Sequence, residues 1–159
     1  MYFYSPSKGE LTFDATFIDI MNYIDERPEE SYRLIIGTDS HVYLNDNVTF
    51  VTAIIVHRLG KGGRYYFQKH RHRFIESLRQ RIYLEATFSL EVASYLTEKL
   101  SFSGHPEMNV EIHLDIGEKG DTREIIREVV GMVIGSGYDA IIKPESYGAS
   151  KVADKYTRR

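Results

Sequence analysis

The sequence has no cysteine. That excludes disulfides and any cysteine-ligated zinc or iron–sulfur site, and leaves redox logic silent on compartment. Long apolar runs are missing too. Stretches such as Ala53 to Val56 are strand-sized, far short of the ~20 residues a membrane-spanning helix needs. Met1 to Leu11 shows no apolar run after a basic stretch, so no signal peptide is read there and the expectation is a cytoplasmic protein without a membrane partner. No repeat, low-complexity segment or interdomain linker interrupts the chain. Its 159 residues suit a single domain over 1–159, with residues 1–30 as an N-terminal extension packed on it. Some signatures of chemistry are also missing. Gly117-Glu118-Lys119-Gly120-Asp121-Thr122 has the wrong spacing for a phosphate-cradling Gly-x-x-x-x-Gly-Lys-Ser/Thr loop. No Gly-x-Ser-x-Gly nucleophile elbow occurs. His70 and His72 flank Arg71 without an acidic partner at zinc-site spacing.

Net basic charge is lacking as well, at −3 overall, but its distribution is uneven. Between Arg58 and Tyr83 stand Arg58, Lys61, Arg64, Lys69, Arg71, Arg73, Arg79 and Arg81 against one acid, Glu76. Such a band is either a surface that tracks phosphates or a solvated strand edge guarded by charge. For phosphate contact the candidates are Arg71 and Arg73 on one strand face, and Arg79 and Arg81 where the next helix opens.

Apolar spacing sets the elements. Phe17, Ile20, Met21 and Ile24 mark a helix over 13–26. Arg33 to Tyr43, Val48 to His57 and Arg64 to Phe74 read as strands separated by Asn45-Asp46-Asn47 and Gly60-Lys61-Gly62-Gly63, turns short enough for an antiparallel meander. A long helix over roughly Glu76 to Leu100 follows, with Leu78, Ile82, Ala86, Ser89, Ala93, Leu96 and Leu100 on one face. Then come a strand through Val110, Ile112, Leu114 and Ile116, a helix opened by Asp121 and Glu124 at capping-box spacing, a short strand over Tyr138 to Lys143, and a last helix from Gly148 to Tyr156. Three antiparallel strands followed by alternating helix and strand predict an α/β fold. It is a mixed five-stranded sheet, two of its strands parallel, flanked by helices and carrying one added N-terminal helix. That arrangement resembles the ribonuclease H fold.

Four acids stand out within this frame. Asp39 sits inside the first strand after Leu34-Ile35-Ile36, where aspartate is disfavoured and a buried charge needs a partner. It is either functional or bonded to nearby backbone with helpers such as Ser40. Glu85 lies three residues after Ile82 and four before Ser89, on the inward stripe of the long helix, unless it sits at the edge of that stripe. Asp115 ends the fourth strand, the usual position of sites in α/β sheets. Asp154, in the last helix, reads equally well as a solvated helix residue. Together they form an all-oxygen set suited to two magnesium or manganese ions, which can activate a water and stabilise a leaving oxygen in phosphodiester cleavage.

On these residues the chain resembles the bacterial ribonuclease H-like family of YkuK type. The matching stretches are GTDSH (37–41), YLEATFS (83–89), HLDIG (113–117), GDTREIIREVVGMV (120–133) and KPESYGASKVADKYT (143–157). The resemblance implies a nuclease-like fold with metal ligands at Asp39, Glu85, Asp115 and Asp154. The expected activity is divalent-metal-dependent hydrolysis of RNA, DNA or a hybrid. Asp39 would bridge two ions, Glu85 and Asp115 would each hold one, and Asp154 would complete the second. Asp39-Ser40-His41 departs from the Asp-x-Glu of proofreading exonucleases on this fold and disfavours that subclass. His41, on the face of Asp39, is either an accessory ligand or phosphate contact or a hydrogen-bonded strand histidine. The alternative function is a non-catalytic module that binds nucleic acid or protein. A structural role in an assembly, suggested by 12 tyrosines, is a third.

Overall fold

The computed structural model describes residues 1–45, 47–73, 75, 77–105, 107–116, 123–142 and 156. The chain opens with a hairpin, β1 (Tyr2–Ser5) and β2 (Gly9–Thr12), and enters α1 (Phe13–Glu26) directly. Thr12 starts that helix, its hydroxyl accepting from the Ala15 N–H at 3.1 Å, because the first helical N–H groups have no partner within the helix. The meander follows as β3 (Tyr32–Val42), β4 (Val48–Arg58) and β5 (Gly63–His72). Gly60 and Gly62 adopt positive φ in the β4–β5 turn, which side-chain-bearing residues resist. A Cβ on Gly63 would come within 2.4 Å of the Val56 carbonyl oxygen, so only glycine lets the strands close there. Next are α2 (Leu78–Phe102), β6 (Val110–His113), α3 (Arg123–Gly135) and β7 (Asp139–Ile141).

The seven strands among the described residues form one mixed sheet in the order β2-β1-β5-β4-β3-β6-β7. The antiparallel meander and the two parallel additions, β6 beside β3 and β7 beside β6, stand as the sequence predicts. The strand count does not. Five strands were expected and the N-terminal hairpin adds two, joining the β5 edge through a single register pair, Tyr4 with Phe67. Its strands are four residues each, too short for a period-two pattern to stand out. The helix expected to close the chain lies outside the described residues except for Tyr156.

Strand alternation divides the sheet into two faces. Leu34, Ile36, Ile54, Val56, Tyr66 and Ile112 point to the first, where they pack with Phe17 and Ile20 of α1, Ala93 and Leu96 of α2, and Val129 of α3. The second face is smaller: Val51, Ala53 and Phe67 gather with Tyr156. The Tyr156 ring stacks on Phe67 at 3.8 Å between centroids, and its hydroxyl meets that of Tyr65 at 2.8 Å.

Candidate functional site

Asp39 and its neighbours lie where the central parallel ladder stops. β3 and β6 run side by side from Leu34–Val110 to Gly37–His113. Two residues farther on come Asp39 on β3 and Asp115 past β6. Both are partly buried. They stand just past the end of the β3–β6 parallel ladder, Asp39 still within β3 and Asp115 after β6, near the position where α/β sheets open a crevice.

Glu85 approaches from the other side. α2 lies across the first face of the sheet, held by a buried hydroxyl chain in which Thr38 meets Ser89 at 2.8 Å and Thr52 at 2.9 Å. One turn before Ser89, Glu85 Oε2 accepts a hydrogen bond of 2.5 Å from the Ser40 hydroxyl. Arg81 Nε donates to the same Ser40 oxygen at 3.2 Å. Burial pushes the Glu85 carboxyl up to about 8; the Ser40 bond and Arg81 oppose the shift, while the negative charges of Asp39 and Asp115 add to it. Asp39 and Asp115 therefore both lie within electrostatic reach of Glu85, which keeps its proton at neutral pH.

His113, two residues before Asp115, is buried and its Nδ1 has no hydrogen-bond partner among the described residues. Burial, with a smaller contribution from Arg33, pushes its pKa down to about 4, so it is neutral at physiological pH. His41 packs its ring edge-on against Tyr43 at 4.8 Å. Among the described residues, no group of three or more histidine, aspartate or glutamate side chains is arranged to hold a metal ion. Asp154 lies outside the described residues. The donor chemistry of Asp39, Glu85 and Asp115, all carboxylate oxygen, is that preferred by hard divalent cations.

The basic band separates into two populations. Arg58 is buried, its guanidinium 4.0 Å from the Tyr23 ring centroid and donating to the Tyr23 carbonyl at 2.9 Å. Lys61 pairs with Glu30 at 2.8 Å, Arg64 with Asp19 at 3.4 Å and Arg79 with Glu128 at 2.7 Å. Arg81 belongs to the Glu85 cluster. Lys69, Arg71 and Arg73 are exposed, and none has an ion-pair partner among the described residues. Lys69 and Arg71 share the face of Asp39: register rows run Asp39–Val51–Lys69 and His41–Thr49–Arg71. Acids and unpaired cations are thus two strand spacings apart, roughly 10 Å.

The ribonuclease H-like family pattern matches residues 15–158. This chain belongs to the ribonuclease H-like family. It is also 37% identical, over 98% of its length and 96% of the other's, to the uncharacterized protein YkuK of Bacillus subtilis strain 168. No solved structure matches. No helix among the described residues is long and apolar enough to cross a membrane.

Within this ribonuclease H-like chain, sequence reasoning missed the parts of Ser40 and Arg81 in the cluster, and the buried His113 two residues before Asp115. In sequence Ser40 reads only as a helper for Asp39, yet it bonds Glu85. Its position on the alternate face of the strand, opposite α2, was the available signal. Arg81, expected to meet phosphate, also reaches Ser40, as its place one turn before Glu85 allows. His113 received no role, and nothing local distinguishes a strand histidine whose nitrogen will be left without a partner.

Proposed function

We propose that this protein is a divalent-metal-dependent phosphodiesterase acting on nucleic acid. The observation that carries the reading is the approach of Asp39 and Asp115 to Glu85 just past the end of the β3–β6 ladder. Like charges are costly to assemble in a partly buried place, and a cation relieves that cost. Asp39, Glu85 and Asp115 would hold magnesium or manganese, with Asp154 as the fourth ligand carried by the family resemblance. The ions, when bound, supply an activated water and charge neutralisation at the leaving oxygen. The chain's own groups do the rest. Glu85 gives up its proton as the site loads. Ser40 orients its carboxylate, and Arg81 holds Ser40. Lys69, Arg71 and Arg73 receive the phosphates that flank the scissile one.

The test is cleavage of labelled single strands, duplexes and RNA/DNA hybrids in manganese by the wild type and by Asp39→Asn. Wild-type turnover that falls at least about a hundredfold in the variant, with the fold intact by circular dichroism, is expected. Cleavage surviving Asp39→Asn, or none by the wild type on any substrate, overturns the reading.

The second reading, a non-catalytic nucleic-acid-binding module, is favoured by one observation: among the described residues no group of three acids or histidines is arranged to clasp an ion. It is the outcome if the wild type binds oligonucleotides without cleaving them.

A further inference from the structure

We propose that the hollow at the β3–β4 hairpin is a subsite for an unpaired nucleotide of a single-stranded nucleic acid. The inference rests on the phosphodiesterase reading and specifies the form of its substrate. The hollow has a volume of about 580 Å³ and is bounded by Tyr43, Leu44, Asn45, Asn47, Thr49 and Arg71. It lies beyond His41 on the face that carries Asp39. Tyr43 is two same-face steps along the chain from Asp39, roughly 13–14 Å at strand rise.

Each wall supplies something that a nucleotide uses. The Tyr43 ring is held upright by edge-on contact with His41, and the residue's backbone is tied across the turn, its N–H donating to the Asn47 carbonyl at 2.8 Å. A fixed aromatic plane accepts any base by stacking. Leu44 is fully exposed, an apolar side chain at a hairpin tip where solvation gains nothing from it. Asn45 and Asn47 bring amide donors and acceptors for base edges. Arg71, unpaired among the described residues, stands in the row of His41 and Thr49, placed for a phosphate between the hollow and Asp39. In a duplex the base faces are covered by their neighbours, whereas a single strand offers them. A strand running along this face would put one phosphate at Asp39, the next toward Arg71, and its base on Tyr43.

The experiment measures binding of a fluorescein-labelled single strand of about 12 nucleotides and of the blunt duplex of the same sequence. It uses the full chain in calcium, by anisotropy across a salt series. Tyr43→Ala should weaken single-strand binding about tenfold while leaving its salt slope and the duplex affinity unchanged, and Tyr43→Phe should stay within about twofold of wild type. Arg71→Ala should lower the salt slope by about one. Wild-type affinity in Tyr43→Ala, equal losses on single strand and duplex, or a Tyr43→Ala effect traced by sedimentation to a lost dimer overturns the subsite. If the wild type cleaves in manganese while Tyr43→Ala binds normally, only the subsite fails. If the wild type neither binds nor cleaves any of these strands, the phosphodiesterase reading fails and the subsite with it.

Discussion

Glu85 holds a proton at neutral pH that an ordinary glutamate has lost, since its pKa is pushed up to about 8 from 4.5. A raised carboxyl pKa means that between those two values the unfolded chain releases a proton the folded one keeps. Folding stability therefore falls as pH rises from about 4.5 to about 8, and the full cost remains above that. His113 has the opposite slope: held neutral to about 4, it makes stability fall as pH drops below its ordinary 6.5. The two partly cancel where they overlap, so Glu85 shows most clearly between pH 6.5 and 8. Glu85→Gln should remove the decline in that window and stabilise metal-free protein by about 1–3 kcal/mol at pH 8, the full shift being reduced by solvent contact and relaxation. Urea melts of both proteins at pH 6.5 and 8 check this. Identical pH slopes for variant and wild type would mean that Glu85 titrates normally. The same substitution should abolish any rise in melting temperature caused by manganese.

At the scale of elements, α2 shows how far periodicity reaches. Its buried stripe is Ile82, Ala86, Ser89, Val92, Ala93, Leu96 and Leu100, nearly the predicted one, with Val92 added. Leu78 leaves it at 51% exposed, because it is the first residue of the helix, after the Ser77 cap, and overhangs the core. A regular helix places side chains by angle, so Glu85 could be assigned inward from spacing alone. β5 is different. Its charges look alike in sequence, and only the neighbours across β4 and α1 decide which are consumed. Arg71→Ala with Arg73→Ala should flatten the salt dependence of nucleic-acid binding by about two units of slope. Arg79→Ala, which breaks a surface pair with Glu128, should leave the slope unchanged and cost no more than about 1 kcal/mol of stability. Filter binding between 50 and 200 mM salt compares them, and equal slopes in the double variant and wild type would make these arginines merely solvated charges.

Across the whole molecule, Asp19 ties three distant segments together. It is 5% exposed on α1 and receives Lys8 from the β1–β2 turn, Arg64 from the start of β5, and the Tyr66 hydroxyl from its middle. Burial alone would raise its pKa, but the hydrogen bonds from Lys8 and Tyr66 and the charges of Lys8 and Arg64 outweigh it and hold the carboxyl below its ordinary value. Burial and the Asp19 charge push the Tyr66 hydroxyl well up. A depressed carboxyl pKa stabilises the fold above the unfolded value of 3.8 and loses that contribution as pH falls through the folded one. Asp19→Asn should therefore cost about 2–3 kcal/mol at pH 7, or roughly 5–10 °C of melting temperature, since Lys8 and Arg64 stay partly solvated when left behind. Its deficit should shrink below pH 3.8. Differential scanning calorimetry at pH 7 and pH 3 tests the sign, and an equal deficit at both would place the effect in packing instead.

Local pattern determined the three described helices, the antiparallel meander, the two parallel strands and the turn of Glu85 toward the sheet. Each follows from side-chain period and turn chemistry within about twenty residues. Asp39 was legible as a strand-borne acid for the same reason, a polar residue interrupting an apolar run; Asp115, expected to end its strand, follows β6, which stops at His113. Tertiary structure decided what no window of sequence contains. The four-residue strands of the N-terminal hairpin become sheet only because Tyr4 meets Phe67. Asp19 looks like a solvated helix residue until Lys8 and Tyr66 close on it, and Ser40 looks like a neighbour of Asp39 until α2 brings Glu85 across the sheet. Which cations remain unpaired was likewise settled by contacts up to 49 positions apart, as between Arg79 and Glu128. Charge pairing depends on distance in space, and the fold alone converts sequence separation into that distance.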